Sequence, residues 1–152
     1  MTLLAATAAL SLAGAASAAS AAATKAEFIR RADALCARTV RELAPLRRRA
    51  EAAKNLPEYQ QLGAAASIWS DQIRVQVRFN RNLRAIGAPP NDAVARGLLA
   101  RLDRGVVLAR RVRDAFANGR IATLASAVPA YLDFTLKLNR QIRAYGFRVC
   151  GR

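Results

Sequence analysis

Between Thr24 and Tyr145, apolar and small residues return at spacings of three and four, and this period constrains the chain more than any other feature. Ile121, Leu124, Val128, Tyr131, Thr135, Leu138, Ile142 and Tyr145 keep it strictly. A helix places such residues on one face, which needs a partner surface to cover it. The same spacing links Phe28, Ala32, Leu35, Thr39, Leu43, Leu46 and Ala50. It also links Tyr59, Leu62, Ala66, Trp69, Ile73 and Val77, continuing to Leu83 and Ile86. A further segment carries Val94, Leu98, Leu102, Val106, Ala109 and Phe116. No stretch of strand length alternates with period two. The sequence predicts an all-α chain of four helices.

The punctuation between these segments is of the expected kinds. Thr24-Lys25-Ala26-Glu27 reads as a capping box, in which hydroxyl and carboxylate each satisfy a free backbone amide. Asn55 followed by Glu58 predicts the second start, and Gly87-Ala88-Pro89-Pro90 a firm stop. Asn91 or Asp92 can cap the third helix, which Asn118-Gly119 closes. Gly146 suits a left-handed C-cap, with Phe147 folding back on the last turn. Pro45 is expected to kink or split the first helix, and Pro129 to break the fourth near its start. Four helices of about 25 residues with short connections predict an up-down-up-down bundle.

Ahead of these helices, Met1 to Ala23 is alanine-rich and apolar. Its length and the small-x-small triplet Ala16-Ser17-Ala18 predict a signal peptide over residues 1–23, cut between Ala18 and Ala23, ahead of a single domain over 24–152. Met1-Thr2 supplies no basic n-region, which leaves the start codon open. An uncleaved anchor and an ordinary alanine-rich tail are the competing readings.

The two cysteines, Cys36 and Cys150, stand near opposite ends of the domain. Cys36 lies roughly 17 Å down the first helix at 1.5 Å per residue. Cys150 follows Tyr145 by an extended reach of about 17 Å. In an up-down bundle the tail can return along helix one, so the expectation is a Cys36–Cys150 disulfide formed in an oxidising compartment. Two unpaired buried thiols and intermolecular bonds are the alternatives.

Lys and Arg number 25 against 10 Asp and Glu, a net charge of +15. Such a field attracts polyanions without specificity. The bland reading is compositional, with arginines solvating helix faces in a protein from a GC-rich genome. The candidate anion-binding residues are Arg47, Arg48 and Arg49, a compact run, with Arg74, Arg78 and Arg81 on one ridge of helix two. Neither interleaved aromatics nor a reading element accompanies them, so specific nucleic-acid binding is not expected.

The chain has no histidine, which excludes histidine-dependent triads, zinc hydrolases and histidine-ligated haem. Acidic residues stand singly, mostly three or four from a basic one, as in Glu27–Arg31, Arg47–Glu51, Arg110–Asp114 and Asp133–Lys137. Neither a metal nor a cofactor is expected. Tyr59, Tyr131 and Tyr145 are the only conceivable haem ligands, and core packing explains the latter two. Ser67, Ser70 and Ser126 have no nearby base, so the chain reads as non-catalytic.

Lys25-Ala26-Glu27-Phe28 with Ala32-Asp33-Ala34-Leu35-Cys36, and the ending Tyr145-Gly146-Phe147-Arg148-Val149-Cys150-Gly151, resemble the two ends of small exported helical proteins of high-GC actinobacteria. That resemblance implies export and a disulfide and carries over no functional residue. The expected function is that of an exported extracellular or envelope protein associating electrostatically with anionic envelope polymers or a membrane surface. One alternative is a carrier of a hydrophobic small molecule, with space between Ala64-Ala65-Ala66 and the aromatics Tyr59 and Trp69. Another is a protein-binding module using Ile68, Val75 and Phe79.

Overall fold

Thr24 starts the first helix: its hydroxyl accepts the Glu27 N–H at 3.2 Å. Helix α1 then runs unbroken over Lys25–Ala53 in the computed structural model, which describes residues 23–151. The expected leader lies outside the described residues except for Ala23. Glu27 does not complete the capping box; its carboxylate pairs with Arg30 at 2.7 Å. Helix α2 (Glu58–Ile86) begins after Pro57, whose carbonyl takes the Gln60 N–H at 2.8 Å, and Asn55 does not cap it. Proline suits this entry because it lacks an amide that the helix would leave unpaired.

Gly87, at φ 77°, ends α2. Asp92 caps α3 (Ala93–Ala117) by accepting the Ala95 N–H at 2.8 Å. Asn118 and Gly119, the latter at φ 61°, turn the chain into α4 (Ile121–Tyr145). Gly146 is left-handed and ends α4 as expected.

Neither proline breaks its helix: Pro45 lies inside α1 and Pro129 inside α4. Proline removes a hydrogen bond to the carbonyl four residues earlier. Those carbonyls belong to Arg41 and Ala125, both on exposed residues, as the prolines themselves are. Water can satisfy what the helix loses.

The helices run antiparallel in chain order. Arg49 meets Asp71 at 2.5 Å while Arg78 meets Glu42 at 2.6 Å, so numbering falls along α2 as it rises along α1. Arg84 pairs with Asp103 across α2 and α3 at 2.8 Å, and Arg101 bonds Gln141 across α3 and α4. Of the ion pairs read within helices, Asp133–Lys137 forms at 2.8 Å. Glu51 instead takes Lys54, and Asp114 takes Arg113.

The result is an all-α up-down-up-down bundle with one open seam. Helix α1 packs on α2, α2 on α3 and α3 on α4, but no Cα of α1 comes within 8 Å of one in α4. Tyr145, the last residue of α4, meets Phe28 of α1 edge-on at 6.2 Å, and beyond it the tail links the two helices. Cys36 and Cys150 form the expected disulfide, with Cα atoms 5.4 Å apart. Asp33 on α1 accepts the backbone N–H groups of Arg148, Val149 and Cys150, each at 2.9 Å. Phe147 turns back into the core, its ring 5.8 Å from Phe28 in edge contact.

The core has two parts. One gathers Phe28, Leu35, Leu83, Leu98, Leu102 and Tyr145 at the end where the tail docks. The other centres on Ile73, Val106 and Ala109, with Trp69 and Tyr131 packed against it. Several residues placed on the inner faces by spacing point outward: Tyr59 is 80% exposed, Ile121 62%, Val94 59% and Val77 43%. The first three sit in the opening turn of their helices, where the neighbouring helix no longer covers them.

Candidate functional site

Where α1 and α4 stand apart, a cleft of about 250 Å³ opens between them, floored by α2 and α3. Thr39, Val40 and Leu43 form its α1 wall; Phe134, Thr135, Leu138 and Ile142 form its α4 wall. The disulfide and Phe147 close one end. No Asp, Glu, Lys or Arg side chain lines the cleft, and its surface is mostly aliphatic and aromatic.

The floor is different in kind. Gln76 and Asn80, one turn apart on α2, face the cleft in the gap between the two apolar cores. Asn80 is 2% exposed, yet neither its amide nitrogen nor its oxygen has a hydrogen-bond partner among the described residues. The Gln76 Oε1 atom is likewise buried and unpartnered. Buried polar groups are nearly always paired, because an unmade hydrogen bond costs about 1–3 kcal/mol. Apart from Asn139 on α4, the cleft's other polar side chains are already engaged. Thr39 and Thr135 donate to the carbonyls of Leu35 and Tyr131 at 3.1 and 2.8 Å. The Tyr131 hydroxyl accepts from Gln72 Nε2 at 3.0 Å, and burial pushes its pKa above the usual tyrosine value.

Gly105 on α3 makes room for this floor. A Cβ there would lie 2.9 Å from Gln76 Nε2 and 3.2 Å from the Phe134 ring. Behind Tyr131, the Trp69 ring packs edge-on at 4.9 Å, so the chain's single tryptophan stands one residue from the cleft.

A second polar cluster sits at the tail end of the bundle. The Tyr145 hydroxyl donates to Asp92 Oδ2 at 2.5 Å, and Lys25 Nζ lies 4.3 Å from the Tyr145 ring centre. That hydrogen bond, with the one from the Ala95 amide, holds the Asp92 carboxyl below its ordinary pKa. Burial, then the neighbouring Asp92, pushes Tyr145 well above the usual tyrosine range.

The six candidate arginines lie on exposed faces of α1 and α2. Arg49 and Arg74 converge on Asp71, and Arg78 is held by Glu42. Arg49, by its hydrogen bond, is the main reason that the Asp71 carboxyl sits below its usual pKa. Arg47, Arg48 and Arg81 form no ion pair among the described residues.

The space expected between Ala64-Ala65-Ala66 and the aromatics Tyr59 and Trp69 is not where the cleft lies, since Tyr59 is in solvent and Trp69 packs on Tyr131. Ile68, Val75 and Phe79 are half-buried within the monomer, and Phe79 lines the cleft. Among the described residues, no helix is long and apolar enough to cross a membrane, and no three His, Cys, Asp or Glu residues are placed to hold a metal.

Apolar spacing runs from Ile73 through Val77 to Leu83 and passes over Gln76 and Asn80. The seam in fact passes through Ile73, Gln76, Asn80 and Leu83, and a polar residue on that register was the available signal. Comparison of the chain with protein-family models, curated proteins and solved structures finds no match.

Proposed function

We propose that this protein binds a small apolar molecule in the cleft between α1 and α4, as a carrier or sensor without catalysis. The carrying observation is the open seam, where helices that do not pack on each other leave an apolar-walled space of about 250 Å³. A space of about 150 Å³ accepts benzene, so this one suits roughly ten non-hydrogen atoms. Burial of a methylene is worth about 0.8 kcal/mol, close to fourfold in affinity.

Titration with straight-chain alkanols of four to fourteen carbons, followed by Trp69 fluorescence, tests this reading. Affinity is expected to climb about fourfold per carbon and level off once the cleft is full, near ten. Val40→Phe, at a half-exposed position on the cleft wall, is expected to weaken the longer members. Absence of saturable binding would overturn the assignment.

A second reading concerns the outer surface. The net charge of +15, with the Arg47–Arg49 run beside the Arg74–Arg81 ridge on adjoining helices, supports association with anionic envelope polymers or lipid after export. The disulfide is compatible with an oxidising, exported location. Sedimentation with native cell envelopes at low and high salt checks it. Retention that salt removes, and that charge reversal at Arg74, Arg78 and Arg81 abolishes, is the expected result.

A further inference from the structure

The cleft's floor says what kind of molecule its walls select. Taking the carrier reading as its basis, we propose that the ligand is uncharged and carries one group that both donates and accepts a hydrogen bond, such as a hydroxyl or carboxamide, seated on Gln76 and Asn80. Three buried amide atoms, Gln76 Oε1 with Asn80 Oδ1 and Nδ2, lack partners in a site whose walls are mostly apolar. Two are acceptors and one is a donor, so a group with both capacities answers them and a hydrocarbon answers none.

Charge is excluded by the same walls. A carboxylate brought to this floor would meet no cation, because no ionised side chain lines the cleft. Thr39 and Thr135 already spend their hydroxyl protons on helix carbonyls, which leaves the Asn139 amide on α4 as the one other donor side chain lining the walls. Gly105 belongs to the same device, since any side chain there would crowd the Gln76 amide.

The stability cost of the floor gives the test its second readout. Asn80→Leu removes both orphaned amide atoms and keeps the branched outline of the side chain, with bulkier methyl groups in their place. If the amide serves a ligand and not the fold, the variant melts higher than wild type by about 2–6 °C. Gln76→Leu provides an independent variant should Asn80→Leu fold poorly.

The experiment compares 1-octanol, octanamide, octane and octanoate at pH 8 on the full chain with its disulfide formed, by Trp69 fluorescence and calorimetry. Octanol and octanamide are expected to bind about tenfold or more tighter than octane and octanoate. Asn80→Leu is expected to erase that preference, binding octane as well as octanol, while its melting temperature rises. Equal binding of octane and octanol by wild type would overturn the polar-group assignment and leave the carrier reading standing. Tightest binding of octanoate would overturn it in favour of recognition by charge at the rim. A lower melting temperature for Asn80→Leu would show that its amide supports the fold, which also overturns it. Binding of none of the four would bring down the carrier reading and this inference together.

Discussion

Asp92 does two jobs with one carboxylate. It caps α3 through the Ala95 amide and receives the Tyr145 hydroxyl from the end of α4. Because its folded pKa is depressed, the stabilisation it gives is present above about pH 4 and is lost as pH falls through the lower folded value. Tyr145 works in the opposite sense. Its raised pKa favours the folded state fully below about pH 10, and that contribution is lost as pH rises beyond. Urea unfolding from pH 2 to 11 is expected to show stability falling at both extremes. Asp92→Asn should flatten the acid limb, and an unchanged acid limb would contradict the role given to this carboxylate. Gly105→Ala makes a separate prediction. Alanine favours the helix by up to about 1 kcal/mol, which offsets the displacement of the Gln76 amide and the Phe134 ring. Stability should stay within about 1 kcal/mol of wild type while alkanol affinity drops. Cap residues such as Thr24 and Asp92 were readable from sequence because their chemistry is local. Asn80 was not, since its burial depends on α3 packing against α2, far along the chain.

At the level of elements, four helices and their stops follow from a period and from glycine and proline, and these are properties of neighbouring residues. What neighbours do not decide is how far a covering helix extends. Tyr59, Val94 and Ile121 continue the apolar period into opening turns that nothing covers. The prolines mislead for a related reason, as solvent at Arg41 and Ala125 can absorb the lost bonds. The α1–tail joint depends on Asp33, whose three accepted amides shape the turn at residues 148–150. Asp33→Ala is expected to cost about 2–3 kcal/mol while the disulfide persists. Chemical denaturation of the oxidised variant measures it, and a loss under about 0.5 kcal/mol would mean that the disulfide alone places the tail.

For the molecule as a whole, the disulfide spans a sequence separation of 114 and substitutes for helix packing that α1 and α4 do not make. Chain-entropy reasoning gives such a loop about 4–5 kcal/mol of stabilisation. The double variant Cys36→Ser, Cys150→Ser is expected to lose most of it. Amide exchange should then quicken first in the α1 and α4 segments bordering the cleft, because apart from the Tyr145 contacts with Lys25 and Phe28 the tail alone ties them together. Uniform quickening across all four helices would argue against an open seam. The topology was legible from the two cysteines and four periods, but the seam's failure to close was not. Closure depends on the separation of α1 and α4, and no local pattern encodes it.

The staple also decides how the molecule would answer a pulling force. Tension applied at Lys25 and Gly151 reaches the Cys36–Cys150 bond after stripping only the first three turns of α1. From there the load passes through covalent sulfur, and the long segment between the cysteines bears none of it. Counting about 3.6 Å per residue and the 5.4 Å across the disulfide, the span would stop at about 50 Å, with three helices still folded. Pulled from both ends, the protein would yield its first turns and keep its cleft floor.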